Sequence, residues 1–149
     1  MALLHDFLLF SVGKLLFISF VKLICRRKGK NGVPAPFLEY ALVSSWMDKS
    51  MVHRFKIWED DGKMVGLVFY ENTINDVYFS LKPGYEKLAD EMVEYADTSM
   101  PRVNGYLKLV IFEGQIAIEK AARKIGYVMK DGYWDNVFDF KKSLNYQFP

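Results

Sequence analysis

Few side chains in this sequence are suited to covalent or metal chemistry. Cys25 is the only cysteine, and His5 and His53 are the only histidines. One thiol excludes an internal disulfide and a cysteine-built zinc site, and two histidines leave little for a histidine-rich metal centre. Ser44-Ser45 and His53 form no G-x-S-x-G nucleophile elbow. Gly62 and Gly66 lie in a hairpin pattern and open no helix, so there is no P-loop or dinucleotide fingerprint. Pro83-Gly84 leads into a helical pattern, and the free N–H groups and dipole of any helix start favour an anion.

The elements that must position such a site fit one domain. The chain has 149 residues, 51% hydrophobic, 16% aromatic and 26% charged. That length supports one core, and the aromatic content excludes low-complexity disorder. The net charge of +2 hides an asymmetry. Residues 1–58 carry 9 Lys/Arg against 3 Asp/Glu, and residues 59–149 carry 11 against 15, so the two ends differ in character.

Phe7 to Cys25 is a 19-residue apolar run broken among charged types only by Lys14 and Lys22, and followed by Arg26, Arg27, Lys28 and Lys30. A bilayer span needs roughly 20 such residues, and a central lysine opposes insertion by about 2.5–3.5 kcal/mol. The expectation is therefore a helix packed within the domain. A membrane anchor through residues 7–25, holding the domain in the cytoplasm, is the alternative, with a divergent start as a third. No basic region precedes the run and no A-x-A-like site ends it, which argues against a cleaved signal peptide. The basic cluster is short and lacks interleaved aromatics, so no nucleic-acid partner is expected.

From residue 31 onward, helix and strand patterns alternate. Asn31-Gly32, Pro34 and Pro36 mark a loop, and Phe37–Met47 reads as a short helix. Arg54–Glu59 and Met64–Glu71 read as strands joined through Asp61-Gly62, a hairpin signal because both positions accept positive φ. Val77–Leu81 is a third strand. Tyr85, Leu88, Ala89, Met92, Ala96 and Met100 recur at steps of 3 and 4, one buried helical stripe that Pro101 ends. Tyr106–Glu113 is a mostly apolar strand, and Gln115–Ile125 is a second amphipathic helix stopped by Gly126. Tyr127–Lys130 and Trp134–Phe140 read as final strands about Asp131-Gly132.

The expected fold is α/β, or α+β mixed: a mostly antiparallel sheet with a central β-α-β unit and flanking helices. It forms a single domain over 1–149, with 1–30 an atypical amino-terminal segment and 31–149 the body. The sheet should open where the antiparallel strands meet Tyr106–Glu113, a place where ligands bind in open sheets.

Several pieces of this order resemble the GNAT superfamily of acyl-CoA-dependent N-acyltransferases. Trp58–Asn72 (WEDDGKMVGLVFYEN) is similar to the family's hairpin before the cofactor strand. Leu81-Lys82-Pro83 resembles the "V-x-P" that ends that strand, and Leu107–Glu113, Gln115–Ile125 and Gly126-Tyr127 resemble the later strand, the last helix and the "GF" after it. The resemblance spans about residues 30–140.

It implies that acetyl-CoA lies in a V-shaped opening, with pantetheine against Tyr78, Phe79, Ser80 and Leu81. The pyrophosphate would sit on Gly84, Tyr85, Glu86, Lys87 and Leu88, with Lys82 beside it and Gln115 in place of the Asn that opens the last helix. An amine, on a small molecule or a protein, would then attack the thioester directly. Asp76 lies nearest to where the family's base carboxylate sits, Glu71 is second, and Tyr127, Tyr133, Tyr78 or a water is the candidate acid. The chain departs from the pattern at the phosphate loop, which keeps one glycine and gains Glu86, and at Ala122, where the family carries a Tyr. The implied function is an acetyl-CoA-dependent N-acyltransferase acting in the cytoplasm. The alternative is a degenerate GNAT-fold domain that binds CoA or a protein partner without catalysis.

Overall fold

A computed structural model describes residues 44–71 and 73–132. It is a mixed α+β arrangement in which a four-stranded sheet of order β1-β2-β3-β4 carries two helices on one face. The strands are β1 (Lys56–Asp60), β2 (Lys63–Tyr70), β3 (Asp76–Leu81) and β4 (Lys108–Val110). The helices are α1 (Ala89–Ser99), between β3 and β4, and α2 (Ile116–Lys124), after β4.

The β1–β2 hairpin turns on Asp61 (φ 49°) and Gly62 (φ 63°), between the paired residues Asp60 and Lys63. Two positive φ values in succession match the right-handed twist of the flanking strands, as the Asp-Gly dipeptide predicts. Further along, Trp58 pairs with Gly66 and Glu59 with Met64, so Val65 is an extra residue in β2. This bulge moves the alternation of inward and outward side chains by one place. Val65 and Val68 therefore pack on the helix side, and Met64, Leu67 and Phe69 on the other. Gly66 lies under α1, where an added Cβ would stand 3.2 Å from Met92 Sδ.

The main core lies between sheet and helices. Val65, Val68, Tyr70, Val77 and Phe79 meet Met92, Val93 and Ala96 of α1 and Ile118, Ala121 and Ala122 of α2. At the sheet's edge, Glu91 Oε1 accepts from Trp58 Nε1 (2.8 Å) and Lys56 Nζ (3.3 Å), and Lys56 stands 4.6 and 4.7 Å from the Trp58 and Tyr95 ring centroids. β1 is thereby tied to α1.

Four expectations need correction. Ser44–Met47 is a run of bends, not the end of a helix, in keeping with the low helix preference of Ser44-Ser45; residues 37–43 lie outside the described residues. The helix after Gly84 is split into a 3-10 turn (Glu86–Leu88) and α1 proper. β4 has three residues instead of eight. Tyr106 is held back in a tight turn with Val103, across Asn104 (φ 51°) and Gly105 (φ 79°), and the Phe112 N–H turns to Gln115. Tyr127–Lys130 forms no strand. The Tyr127 N–H closes α2 on the Ala122 carbonyl (3.0 Å) and the Gly126 N–H bonds Arg123 (3.1 Å), so the chain leaves the helix as a Schellman turn. Tyr133, Trp134–Phe140, the apolar run 7–25 and the basic cluster lie outside the described residues. Among the described residues no helix is long and apolar enough to cross a membrane.

Candidate functional site

β3 and β4 run parallel, with Asp76, Val77 and Tyr78 opposite Lys108, Leu109 and Val110. Pairing stops there, but β3 continues to Leu81. The Lys82 N–H donates to the Val65 carbonyl (2.8 Å), and the Lys108 N–H to the Asn75 carbonyl (2.9 Å). Backbone groups alternate sides along a strand, so even-numbered residues of β3 address β2, and Phe79 and Leu81 address the β4 side. Beyond Val110 the β3–β4 ladder ends, which leaves an opening in the pairing.

Gln115 fills the first rung of this opening. It is buried just before α2, its Nε2 donating to the Phe79 carbonyl (2.7 Å) and its Oε1 accepting from the Phe112 N–H (3.0 Å). One side-chain amide thus bridges the diverging chains with the donor and acceptor that a further strand would supply. The next rung is the backbone of Leu81, which has no β4 residue opposite. Side chains contribute little here. Phe79 is in the helix-side core, Tyr78 stacks on Phe69 across the sheet (5.7 Å between centroids), and Ser80 is buried. What this strand offers a ligand is its main chain.

The loop after β3 turns at Gly84 (φ 90°) and exposes Lys82, Glu86 and Lys87. Glu86 Oε1 accepts from the Gly84 N–H (3.0 Å), and the N–H groups of Gly84 and of Glu86 itself hold its carboxyl below the usual glutamate range. The loop does gather donors about an anion, and that anion is its own carboxylate. Tyr85 donates to Asp60 Oδ2 (2.6 Å), and this bond to a carboxylate, together with slight burial, raises the phenol above its ordinary value. Leu88 packs against the core.

The acid–base candidates lie elsewhere. Asp76 begins β3, about 10 Å before Phe79 at the rise of a strand, and pairs with Lys108 Nζ at 2.8 Å. Glu71 is buried just after β2, where the β2–β3 ladder ends at Tyr70 and Val77 and the Asp76 N–H turns to the Thr73 carbonyl (3.0 Å). Tyr127 donates to Asp97 Oδ1 (2.8 Å), and Arg102 closes the group at 2.7 Å. Burial and the Asp97 carboxylate push the phenol up to about 12, and the Tyr127 and Arg102 bonds hold Asp97 low. The structure brings Gln115 to β3 and Asp76 to Lys108; it turns the Tyr127 hydroxyl to α1. Sequence reasoning missed Lys108, Asp97 and Arg102, whose roles depend on partners 30 or so residues away or on a helix end. Among the described residues no group of three His, Cys, Asp or Glu side chains could hold a metal ion.

Fold and site together define a mixed α+β protein with a parallel strand pair that opens beside a buried amide. No family model matches the chain, and no curated protein or solved structure matches it.

Proposed function

We propose that this chain is a GNAT-like acyltransferase domain that takes acetyl-CoA into the β3/β4 opening and passes the acetyl group to a primary amine in the cytoplasm. The observation that carries the reading is the parallel pair that ends at Tyr78 and Val110 while β3 runs on to Leu81. A strand main chain with no ladder partner suits the amides of a pantetheine arm, and an antiparallel meander followed by α1, β4 and α2 is the element order the resemblance implies. In the reaction the amine nitrogen attacks the thioester carbonyl carbon and the C–S bond breaks. Asp76 or Glu71 accepts the amine proton through intervening water, because both lie toward the start of β3, away from the opening. Water protonates the leaving thiolate, because Tyr127 is engaged by Asp97.

A second reading, binding of a CoA-like ligand without catalysis, is favoured by Glu86. Its carboxylate holds the Gly84 N–H that a pyrophosphate would need. Thermal denaturation with acetyl-CoA tests the common step. Ligand at 100 times Kd adds about 2.7 kcal/mol, a rise of roughly 5–10 °C for a domain of this size. No shift at millimolar acetyl-CoA sinks both readings. A shift without acetylated product from a panel of amines and lysine peptides selects the second.

A further inference from the structure

The sheet face away from α1 and α2 is dry. Leu67 and Phe69 are 0% exposed and Met64 8%, with Ile57, Tyr78 and Phe112 packed around them. The buried residues of both helices belong to the other cluster. A sheet face with no second layer leaves its central side chains wet, and among the described residues neither helix supplies that layer.

We propose that the layer is the apolar run Phe7–Cys25, lying as an amphipathic helix across β1–β4. Ser11, Lys14, Ser19 and Lys22 fall within an arc of about 140° on a helix, with Ile18 among them, so the charged residues of the run share one side. Phe10, Phe17, Phe20 and Ile24 fall on the opposite side. A helix with one such polar side suits an apolar sheet below and water above. A bilayer would surround it on every side.

The dimensions agree. Four strands about 4.8 Å apart make a face roughly 14 Å wide, and a helix with its side chains is about 10–12 Å across. Residues 26–43 can span up to about 60 Å when extended, enough to reach that face from Ser44. The pattern Trp134–Phe140 is that of a strand, which would extend a sheet edge and not cover a face.

Two substitutions in the full chain separate the outcomes. Phe20→Lys and Ile18→Lys lie at nearly the same depth of any span but on opposite sides of the helix. Phe20→Lys should lower the melting temperature by about 10 °C, by placing an unpaired charge against Leu67 and Phe69, and should induce binding of a hydrophobic dye. Ile18→Lys should leave the melting temperature within about 2 °C, as an ordinary surface change does. Should Phe20→Lys fail to fold, a benzophenone side chain at position 20 should photo-cross-link to the tryptic peptide Met64–Lys87, and one at position 18 should not. Four results overturn the proposal: equal harmlessness of both substitutions, a full chain that sediments with membranes and is released equally by either, a cross-link to residues 133–149, or one that doubles the chain's mass.

Discussion

Gln115 donates its side-chain amide to the main-chain carbonyl of Phe79 at 2.7 Å, across the point where β3 and β4 part. The same amide accepts the Phe112 N–H, so one residue satisfies two backbone groups that the end of pairing would otherwise leave without partners.

Removing it should therefore cost more than an ordinary side-chain hydrogen bond. Gln115→Ala leaves a buried carbonyl and an N–H to find water, about 1–3 kcal/mol, or roughly 3–9 °C in melting temperature. Acetyl-CoA provides the diagnostic arm. If an amide of the ligand takes the vacated rung, saturating acetyl-CoA should raise the melting temperature of Gln115→Ala by more than that of the parent. Equal shifts would place the ligand elsewhere.

Glu86 tests the loop. Glu86→Gln removes the carboxylate that the Gly84 N–H binds and lifts a negative charge from where a pyrophosphate would sit. Affinity for CoA, measured by titration calorimetry, should rise roughly two- to fivefold at low ionic strength, the size of an exposed charge effect at a helix start, and the gain should shrink with added salt. Gly84→Pro, which removes the donor and forbids the φ of 90° seen there, should abolish the interaction. If both variants bind CoA as the parent does, the loop is not the phosphate site.

Local signals were legible in the sequence and long-range ones were not. Asp61-Gly62, Pro101 and Gly126 each impose backbone geometry on their own neighbours, so the hairpin, the end of α1 and the end of α2 could be read residue by residue. Gln115 could be placed because it opens a periodic helix. The extent of β4 could not, since Tyr106–Glu113 is apolar throughout and its limits come from the Asn104-Gly105 turn and from Gln115. The bulge at Val65 hid which β2 side chains face the helices, because one added residue reverses a period-2 pattern. Asp97 and Tyr127 are 30 residues apart, and only the packing of α2 beside α1 joins them.

Gly66 tests that bulge. A methyl group there would stand 3.2 Å from Met92 Sδ and 3.4 Å from Trp58 Cβ. Methionine is a flexible side chain, so Gly66→Ala should be tolerated at about 1 kcal/mol, whereas Gly66→Val should exceed about 2 kcal/mol, as overpacking does. Shortening the obstacle with Met92→Ala should make the added methyl group neutral or stabilising, a coupling that urea denaturation of the double-mutant cycle reads directly. Additive effects would show that Met92 does not bear on Gly66.

The Tyr127–Asp97 bond should govern the alkaline limit of stability. The phenol is pushed up to about 12 in the folded chain, first by burial and then by Asp97, from an ordinary value near 10. Between these values the native state holds a proton that the unfolded chain has lost, so stability must fall as pH rises through that window. Below about pH 10 the contribution is present in full. Tyr70 and Tyr95 are also shifted upward, both mainly by burial, and act in the same direction. Tyr127→Phe should therefore be less stable than the parent at pH 8 and lose less on going from pH 9 to pH 11, so the two melting curves converge in alkali. Asp97 gives the opposite limb. Its carboxyl is held low by Tyr127 and then Arg102, so its contribution is present above the ordinary aspartate range and fades as pH falls through the lowered value. In Tyr127→Phe that acid limb should be shallower too. Parallel curves for the two proteins from pH 3 to pH 11 would show that the bond does not couple to folding.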